Sequence, residues 1–370
     1  MRTIYLISRA KTTGPINQAN NILIGLKNNG RVDSSLVTLA PEDNNKTWLN
    51  RFIENDINVY QMNQPLWKTW CCIYLLRKYI KENNIDVVHS SGFRATFVSL
   101  FAGKKVKKVI TQRCHPSEIV EKFPSILQPL FTTLYMRMIK RMDAIVACSN
   151  SLQHLLFKDY GMNVYAVQNG VNTDVFTSVS NEEKIKLRKE LGLSIDKKIY
   201  LVLGSLRDRK NNKLLVSAAK FRKWDNIQIV IVGDGPEKSD LIEMAGGCQM
   251  IKFTGRTSTP LKYLQASDIL VSCSLAEGLP NTVLEALACG LPVILSDIGP
   301  HKELIEGTQV GLIFDKTSQV DLCQSIDDSL QWDIVEKGKC ARQIAVEKFS
   351  LYKLAQNYEI IYKNMLNVKY

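Results

Sequence analysis

The sequence predicts an α/β protein of two doubly wound domains, each built on a parallel sheet with helices on both faces. Short β-branched runs alternate with helical patterns along the whole chain. The runs are apolar over nearly their full length, as in strands that are buried on both faces. The chain has 370 residues, which is long for one hydrophobic core and comfortable for two.

The first series of strands and helices fills residues 1–170. Its predicted strands are Ile4–Ser8, Ser35–Leu39, Asp86–His89, Lys107–Gln112, Ala144–Ser149 and Val164–Gln168. Its predicted helices are Ile16–Lys27, Trp70–Glu82, Ala95–Ala102 and Leu127–Lys140. In each helix the apolar residues recur three or four positions apart, which places them on one face. This alternation predicts one domain over residues 1–170.

The pattern then restarts and predicts a second domain over residues 181–350. Its predicted strands are Ile199–Leu203, Ile227–Val232, Met250–Phe253, Ile269–Cys273, Pro292–Leu295 and Gly311–Phe314. Its predicted helices are Asn212–Lys223, Glu237–Ala245, Thr282–Ala288 and Gln319–Gln331. The segment Asn169–Ser180 is polar and carries turn residues, so we expect the domain boundary there. The last stretch, Leu351–Tyr370, is a predicted helix that is free to pack back on the first domain.

The predicted fold also indicates where a ligand would bind. In open α/β sheets, ligands bind beyond the carboxyl ends of the strands. Two facing domains of this type therefore place a site in the cleft between them. Such a fold serves many chemistries, so the loops must identify the function.

The composition is that of an ordinary globular protein. Apolar residues make up 45% and charged residues 23%, which excludes extensive disorder. No apolar run reaches the roughly 20 residues that cross a bilayer, and the apolar core of Met1–Ser8 is too short for a signal peptide. The nine cysteines are scattered without metal-ligand spacing, so we expect reduced thiols. We therefore expect a cytoplasmic protein.

The positive charge is concentrated in the first half of the chain. Residues 1–170 contain 22 Lys and Arg against 11 Asp and Glu, so they hold +11 of the total net charge of +12. This asymmetry indicates that the first domain meets an anionic membrane surface, a phosphorylated ligand or nucleic acid. The alternative is a basic face that only serves solubility. Nucleic acid is disfavoured because the chain has no recognition-helix or RNP-type pattern.

Three stretches of the first half are rich in basic residues. Trp67–Tyr79 and Phe123–Arg141 mix them with bulky apolar residues, and Lys104–Lys108 is almost entirely lysine. Basic amphipathic segments are able to lie on an anionic leaflet. Ordinary helices that face a core would give the same pattern, so both interpretations remain open.

The most informative segment for function covers residues 274–292. A buried strand ends just before it, a loop with Glu277 follows, and Asn281 is placed to cap a helix that Gly290 ends. The free backbone N–H groups of such a helix start bind anions such as a diphosphate. Glu277, and Glu285 one turn inside the helix, are placed to accept hydrogen bonds from sugar and ribose hydroxyls. The alternative is that both only complement the helix dipole.

This segment resembles the donor-site signature of the retaining family 4 glycosyltransferases, which have the GT-B fold. The resemblance rests on the Glu–seven residues–Glu spacing, with Gly-Leu-Pro after the first Glu and Glu-Ala-Leu-Ala-Cys-Gly-Leu-Pro-Val closing it. Other segments resemble the same family in the same order: Gly14, Asn169–Asn172 with Phe176, Gly204–Lys210, Val232–Pro236 and Phe253–Arg256. Each piece alone is weak, but the ordered set is specific and spans nearly the whole chain.

The resemblance implies a role for each matching residue of the second domain. Glu277 would contact the donor hexose, and Glu285 would hold the ribose hydroxyls. Arg209 and Lys210 would neutralise the diphosphate as it leaves, because breaking a sugar–phosphate bond builds negative charge there. Arg207 competes with Arg209 for this place. The loop residues that would orient the sugar and the phosphates are Gly278, Leu279, Pro280, Asn281 and Thr282.

Two further loop residues complete the predicted donor site. Gly204 ends the first strand of the second domain, and Arg256 follows a glycine where the family's backbone usually contacts the base. The side chain of Arg256 alternatively faces solvent. The chain contains no Asp-x-Asp pair. We therefore expect no metal cofactor, with Arg and Lys supplying the positive charge instead.

The first domain carries the remaining candidates. Gly14 and Pro15 open the first helix in a tight loop that is able to approach the leaving phosphate, although the family more commonly has Gly-Gly here. Many members place a histidine that touches the donor sugar after a strand of this domain, and either Arg113 or His115 fills that place. For His89, at the end of another strand, we expect a structural role.

The resemblance implies a retaining enzyme that moves a hexose or N-acetylhexosamine from a nucleotide sugar, most commonly a UDP-sugar. A saccharide acceptor on a polyprenyl diphosphate, at the inner face of the plasma membrane, would account for the charge of the first domain. Two other classes of function remain. A GT-B sugar-nucleotide epimerase or phosphorylase would need motifs that the chain lacks. A non-catalytic nucleotide-sugar-binding protein is the other class, and the intact Glu277, Glu285, Arg209 and Lys210 argue against lost catalysis.

Overall fold

The computed structural model describes residues 1–43, 47–121 and 124–367. They form two compact units, one of Met1–Gly170 with Leu351–Tyr370 and the other of Val171–Ser350. Each unit contains one sheet, and the paired strands of both sheets are parallel throughout the described residues. The predicted α/β class with two parallel sheets is therefore confirmed.

The first unit contains a sheet of seven described strands, in the spatial order β3-β2-β1-β4-β5-β6-β7. The strands are β1 (Arg2–Ile7), β2 (Asp33–Thr38), β3 (Val59–Gln61), β4 (Val87–Ser90), β5 (Lys107–Gln112), β6 (Ala144–Ala147) and β7 (Tyr165–Ala166). The helices of Met1–Gly170 are α1 (Gly14–Asn29), α2 (Leu49–Glu54), α3 (Thr69–Asn83), α4 (Phe93–Ser99), α5 (Pro116–Val120), α6 (Gln128–Ile139) and α7 (Asn150–Tyr160). Successive residues of β1 enter different cores, because Ile4 packs on one face of the sheet and Tyr5 on the other.

The second unit repeats this arrangement with six described strands, in the order β10-β9-β8-β11-β12-β13. The strands are β8 (Lys198–Leu203), β9 (Ile227–Val232), β10 (Ile251–Gly255), β11 (Ile269–Ser272), β12 (Val293–Ser296) and β13 (Gly311–Phe314). The helices are α8 (Asn181–Leu191), α9 (Asn212–Arg222), α10 (Lys238–Ala245), α11 (Pro260–Ala266), α12 (Asn281–Ala288), α13 (Gly299–Ile305), α14 (Gln319–Ser329) and α15 (Ile334–Phe349). In both sheets the strand order reverses at the first strand, since later strands are added first on one side of it and then on the other. Open α/β sheets bind ligands at such a point.

The last helix, α16 (Leu351–Leu366), packs on α1 of the first unit. The two helices approach so closely that a Cβ atom on Gly25 would lie 2.5 Å from the carbonyl oxygen of Leu351. Tyr358 and Tyr362 of α16 are fully buried in the core of the first unit. The C-terminal helix is therefore part of the core of the first unit.

Element boundaries differ from the predictions where local patterns are weak. The edge strand β3 has three residues, too few to show a periodicity. The strand predicted over Ala144–Ser149 ends at Ala147, because Ser149 caps α7 by accepting a hydrogen bond from the backbone N–H of Leu152 at 3.0 Å. Only Tyr165–Ala166 of the predicted Val164–Gln168 pairs as a strand.

Three observations bear on the membrane and redox predictions. In the described ranges, no helix is both long and apolar enough to cross a membrane. All nine cysteines are free thiols. Phe123, which begins one of the predicted amphipathic stretches, lies outside the described residues, and the rest of that stretch forms a 3-10 turn at Ser125–Leu127 followed by α6.

Candidate active site

The predicted donor-site residues of the second unit gather beyond the carboxyl ends of two neighbouring central strands. β8 and β11 pair with each other, so the loops that follow them lie side by side. The backbone N–H of Leu275 in one loop donates to the carbonyl oxygen of Arg209 in the other at 2.8 Å. This bond joins two segments that are more than sixty residues apart in the chain.

The helix α12 begins at Asn281, with Pro280 in an extended conformation as the N-cap residue. The prediction that Asn281 caps the helix is therefore wrong, because Asn281 is itself the first helical residue. A proline offers no side-chain oxygen to the first-turn N–H groups, and the first turn contains no acidic residue. The positive end of α12 is thus not neutralised by a carboxylate of its own first turn. Gly290 follows the helix with φ 75°, as predicted for its end.

Glu277 is the most buried charged group of this site, with 8% of its side chain exposed. Its Oε1 atom lies 2.5 Å from Nζ of Lys210 and accepts a hydrogen bond from Oγ of Ser274 at 2.9 Å. Its other oxygen lies 4.0 Å from a guanidinium nitrogen of Arg209. Two cations and one hydroxyl therefore fix the carboxylate before any ligand binds.

The ionisation of Glu277 follows from these contacts. Burial alone would raise the pKa of its carboxyl group, but the charge and hydrogen bond of Lys210 outweigh burial. Arg209 and Ser274 act in the same direction, so the pKa lies below its ordinary value. At neutral pH Glu277 is a carboxylate, which accepts hydrogen bonds and does not donate a proton.

The two predicted cations occupy a 3-10 turn, Asp208–Lys210, directly after the loop that leaves β8. The Lys210 side chain is 20% exposed and faces Glu277, whereas the Arg209 side chain is 49% exposed. Lys210 also lines a small cavity of about 20 Å³ together with Gly204 and Thr282, at the start of α12. Arg207 precedes the turn and is exposed to solvent. The structure thus brings Arg209, rather than Arg207, into the cluster with Glu277.

The glycine motifs of the second unit lie in three adjacent strand-end loops. A Cβ atom on Gly233 would lie 1.8 Å from the carbonyl oxygen of Gly204, and one on Gly235 would lie 2.2 Å from that of Leu206. The N–H of Gly233 donates to Gly255 at 2.9 Å. Glycine is required here because the backbones of neighbouring loops touch. These contacts fix the positions of the loops at the carboxyl ends of the strands, including the loop that leads to Lys210.

A buried histidine supports the Glu277 loop from behind. His301 of α13 has no exposed surface, and its Nε2 atom lies 3.3 Å from Oγ of Ser272. Its Nδ1 atom lies 3.0 Å from Oγ of Ser296, which donates to the carbonyl of Ser274 at 2.6 Å. Burial, with the charge of Lys210, lowers the pKa of His301 to about 4, against smaller opposing effects of Ser296 and Glu277. The sequence showed no partner pattern for His301 and gave no signal for this role.

The other predicted donor residues of this unit are less enclosed. Glu285 is half-buried, one turn inside α12. Arg256 is exposed and follows Gly255, which has φ 75°. Of the loop residues 278–282, Leu279 and Pro280 are buried and the others are half-buried. These positions remain predictions as ligand contacts.

The two candidate donor contacts of the first unit, Arg113 and His115, have partners within that unit. Arg113 follows β5, and its guanidinium donates to Oδ1 of Asn169 at 2.7 Å and lies 3.4 Å from the hydroxyl of Tyr5. His115 is the N-cap of α5, with Nδ1 2.7 Å from Oγ of Ser117, and its Nε2 lies 3.3 Å from a carboxylate oxygen of Asp159. Both residues are half-buried. The choice between them as the donor contact stays open.

Two further sequence candidates of the first unit have defined positions. Gly14 is the first residue of α1 and is exposed, with Pro15 beside it in the first turn, as expected. His89 in β4 has 1% exposure, and its ring nitrogens lie 2.7 Å from the hydroxyls of Tyr362 and Thr111. Burial, together with the charge of Arg113, holds the pKa of His89 well below its usual value. His89 therefore has the structural role expected for it.

Within residues 1–43, 47–121 and 124–367, no group of three or more His, Cys, Asp and Glu side chains is placed to hold a metal ion. The buried thiols near the site are not activated either, since burial raises the pKa of Cys273 to about 12.

Two family models match the chain and together span most of it. "Glycosyltransferase Family 4" matches residues 19–197, and "Glycosyl transferases group 1" matches residues 183–343. The second match contains the whole Glu277 cluster and α12.

Similar curated proteins include two bacterial enzymes. N-acetyl-alpha-D-glucosaminyl L-malate synthase of Bacillus anthracis is 25% identical over 340 residues, which cover 87% of this chain and 86% of the relative. UDP-Gal:alpha-D-GlcNAc-diphosphoundecaprenol alpha-1,3-galactosyltransferase of Escherichia coli is 24% identical over 320 residues, covering 82% of each.

Solved structures of similar architecture cover nearly the whole chain. A glycosyltransferase from Rickettsia africae ESF-5 has a TM-score of 0.79 at 21% identity, covering 100% of this chain and 99% of that chain. Anabaena Alr3699/HepE in complex with UDP has a TM-score of 0.80 at 19% identity, covering 98% and 100%. These similarities establish the fold as the one known for such enzymes.

Proposed function

Because the chain belongs to the family 4 glycosyltransferases, we propose that it transfers a hexose or N-acetylhexosamine from a UDP-sugar to a lipid-linked saccharide, with retention of configuration. The transfer would build a bacterial surface polysaccharide such as O-antigen or capsule. Two relatives support this proposal: the solved Anabaena protein binds UDP, and the name of the Escherichia coli relative specifies a diphosphoundecaprenol acceptor.

The observation that carries the proposal is the buried pair of Glu277 and Lys210 beside the start of α12. Nζ of Lys210 lies 2.5 Å from Oε1 of Glu277, and both side chains are mostly shielded from water. Burying an ion pair is costly unless the charges are well compensated, so such a pair is weak evidence for a purely stabilising role. The ammonium group and the helix N–H groups match the diphosphate of a sugar diphosphate, and the carboxylate matches the hydroxyls of its sugar.

We assign the diphosphate to the cationic side of this cluster. Cleavage of the bond between the anomeric carbon and the phosphate oxygen leaves negative charge on the outer phosphate. Lys210, Arg209 and the first-turn N–H groups of α12 would stabilise that charge at a fixed position. Because they are in place before the reaction, little reorganisation is needed as the charge develops.

Glu277 would bind the sugar and would not act as acid or nucleophile. Its lowered pKa keeps it ionised, and Lys210 and Ser274 already hold one of its oxygens. An ionised carboxylate accepts hydrogen bonds from sugar hydroxyls. The acceptor hydroxyl would then attack from the side of the leaving phosphate, which takes its proton. An inverted anomeric product, detected by NMR, would contradict this mechanism.

We further propose that no metal ion takes part. The charge that a metal would neutralise is matched by Arg209 and Lys210, which lie within 4.0 Å of one carboxylate. Turnover is expected to be the same with excess EDTA as with Mg²⁺. A loss of activity in EDTA that Mg²⁺ or Mn²⁺ restores would contradict the proposal.

The first unit would contact an anionic membrane. Leu66 and Trp67, in the 3-10 turn before α3, are 74% and 76% exposed, and Trp70 and Tyr74 of α3 are 69% and 68% exposed. On α6 and the turn before it, Ile126 is 86% exposed. Ring contacts through α4, which pack Trp70 on Phe97 and Phe93 on Phe131, connect these helices. Apolar side chains on a unit with net charge +11 over residues 1–170 match an anionic leaflet.

Lys210 provides the direct test of the assigned donor site. With UDP-sugars as donors, we expect Lys210→Ala to lower kcat about 100-fold, the size of effect seen when one transition-state charge contact is lost. Lys210→Arg keeps the charge and should recover part of the rate. Lys186→Ala removes an exposed lysine of α8 and serves as the control, with wild-type turnover expected.

Product analysis completes this test. Wild-type-like turnover of Lys210→Ala would refute the site assignment. A chain that converts the donor sugar without any acceptor would be an epimerase rather than a transferase. Thermal unfolding of each variant separates loss of the site from loss of the fold, because Lys210→Ala leaves the buried Glu277 with a weaker partner.

A further inference from the structure

The first unit contains an open cavity of about 460 Å³ beyond the carboxyl ends of β1, β2 and β4. Two chain segments form most of its wall. Residues 7–16 lead from β1 into α1, and residues 91–94 lead from β4 into α4. The volume falls in the range of small-molecule sites, and the strand-end position is where open α/β sheets bind ligands.

Three cations line this cavity: Arg9, Lys11 and Arg94. No Asp or Glu is among the described residues that line it. The nearby carboxylate of Glu42 is occupied by the backbone N–H of Ala10, at 2.9 and 3.1 Å, and by the hydroxyl of Thr47 at 3.0 Å. The cavity is therefore cationic without a carboxylate in its wall, which favours an anionic ligand.

Arg94 is oriented by neutral groups only. Its guanidinium donates to the carbonyl oxygens of Gln64 and Pro65, at 3.1 and 2.9 Å, and to Oγ1 of Thr69 at 3.2 Å. These groups fix the plane of the half-buried side chain but leave its positive charge without a counter-ion. Because Nε and Nη2 make these bonds, Nη1 is the part of the guanidinium group that the described residues leave to donate to a phosphate oxygen.

The cavity is continuous with the exposed apolar surface of the first unit. Leu66 lines the cavity and is 74% exposed, and Trp67 and Trp70 follow it along the chain. Arg94 binds the segment on both sides of Leu66, through Pro65 and Thr69. A ligand with its anionic group among the three cations would thus have an apolar surface beside it for a hydrocarbon chain.

We propose that this cavity binds the phosphate group of a long-chain lipid phosphate or diphosphate, and that Arg9, Lys11 and Arg94 contact this phosphate group. The proposal rests on the proposed function, because it identifies this lipid as the carrier of the sugar acceptor. The hydrocarbon chain runs over Leu66 and Trp67 toward the bilayer. The three cations hold the acceptor through its phosphate, and the donor cluster of the second unit takes no part in this binding.

Direct binding tests the site without any sugar transfer. The probes are farnesyl diphosphate, inorganic pyrophosphate and farnesol, measured by calorimetry on the full chain. We expect farnesyl diphosphate to bind most tightly, pyrophosphate more weakly and farnesol not measurably. The double variant Arg9→Gln/Lys11→Gln should weaken farnesyl diphosphate binding about tenfold or more, as the loss of charged hydrogen bonds implies. Both side chains are exposed, so the fold should be unaffected.

Control variants distinguish binding in the cavity from a general effect of positive charge. Lys158→Gln removes an exposed cation of α7 that does not line the cavity, and it should bind as the wild type does. Arg94→Lys keeps the charge but loses the fork of donors, so it should weaken binding less than Arg94→Gln. Equal weakening by Lys158→Gln would reveal only a general charge effect and overturn the proposal. Wild-type binding by Arg9→Gln/Lys11→Gln would overturn it as well.

Kinetic constants separate failure of this site from failure of the proposed function. The cavity variants should raise KM for a polyprenyl-diphosphate acceptor and leave KM for the donor unchanged. They should not affect transfer to the same saccharide on a neutral alkyl chain. If no donor supports transfer but farnesyl diphosphate binding depends on Arg9 and Lys11, the lipid site stands and the enzymatic proposal fails. If the donor KM rises instead, the cavity holds a nucleotide and the lipid site is refuted.

Discussion

The two units share one scaffold but differ in what lies beyond its central strands. Both sheets place their first strand in the interior, between the second and the fourth strand of the same unit. In the second unit the strand ends carry a cluster in which Glu277 is already compensated by Lys210. In the first unit the strand ends surround an open cavity. Three cations line this cavity, and none of the described residues that line it is a carboxylate.

This difference shows that one fold provides two kinds of binding site. A site that must stabilise charge during a reaction benefits from groups that are fixed before the ligand arrives. The second unit has this property through the interlocked loops of Gly233, Gly204 and Gly255. A site that recruits an anionic ligand benefits from uncompensated charge, which attracts the ligand and speeds its association. The first unit, with net charge +11 over residues 1–170, has that property.

The largest expected effect concerns the rigidity of the second unit's strand ends. Gly233→Ala would place a Cβ atom 1.8 Å from the carbonyl oxygen of Gly204, so a backbone shift is unavoidable. We expect a loss of more than about 4 kcal/mol in the free energy of unfolding. The matched change in the first unit is Gly92→Ala, where φ is 88° but no atom lies within 4 Å. With ψ 157°, Gly92 lies in a backbone region that is essentially restricted to glycine, so the substitution should cost about 1–3 kcal/mol. Urea unfolding measures both costs, and equal costs would show that the close backbone contact of Gly233 has no special effect.

The next effect concerns the charge of Glu277. Glu277→Gln keeps the shape of the side chain but leaves Lys210 without its carboxylate partner. We expect kcat/KM for the donor to fall about 100- to 1,000-fold, because one preorganised polar contact to the sugar is lost. Glu243→Gln on the exposed face of α10 is the control. Retention of more than a tenth of the activity would show that Glu277 is only a structural ion pair.

The third prediction uses the buried histidine of the second unit. The folded-state pKa of His301 is about 4, below its ordinary value of 6.5. Between these values the unfolded chain takes up a proton and the folded unit does not, so stability falls as the pH decreases through this window. We expect His301 to account for about 2 kcal/mol of lost stability between pH 7.5 and pH 5.

A neutral substitution isolates this contribution. His301→Asn should flatten the pH dependence of unfolding by about that amount, whereas His154→Asn, at an exposed position, should leave it unchanged. His301→Asn should also lower kcat more than it changes donor affinity, because His301 holds the Ser274 carbonyl through Ser296. If His301→Asn leaves the pH dependence of unfolding unchanged, His301 does not contribute to it.

The smallest expected effect concerns the membrane surface of the first unit. Trp67→Ala/Trp70→Ala should weaken binding to vesicles of anionic phospholipid about tenfold, since two large apolar side chains no longer enter the interface. Phe221→Ala is the control, because Phe221 is 69% exposed on α9 of the second unit. Salt should release the wild type from the vesicles. If the control weakens binding as much as the tryptophan variant does, the membrane surface is not confined to the first unit.

The sequence predicted the architecture because parallel-sheet strands have a strong local signature. β9 and β13 were predicted with their observed bounds, Ile227–Val232 and Gly311–Phe314, since each is an apolar run bounded by turn residues. The cap of α12 lies one residue before the predicted Asn281, because asparagine is a good N-cap by its own chemistry whereas Pro280, the observed N-cap, has no side-chain oxygen that would signal it.

The contacts of the site were beyond what local patterns specify. The approach of Lys210 to Glu277 depends on β8 and β11 being neighbours, and strand order is a property of the whole sheet. The Ser272–His301 contact joins a strand to a helix after the next strand, with no periodic signal. The cation cavity of the first unit combines residues from four separate segments. Resemblance to a family supplied roles for residues, but not these distances.

One measurement tests the central claim that the two strand edges bind different ligands. UDP affinity would be measured by calorimetry for the wild type, Lys210→Met and Arg94→Gln. We expect Lys210→Met to weaken UDP binding about tenfold or more, and Arg94→Gln to leave it unchanged. If Arg94→Gln weakens UDP binding and Lys210→Met does not, the nucleotide belongs to the first unit and the account is wrong.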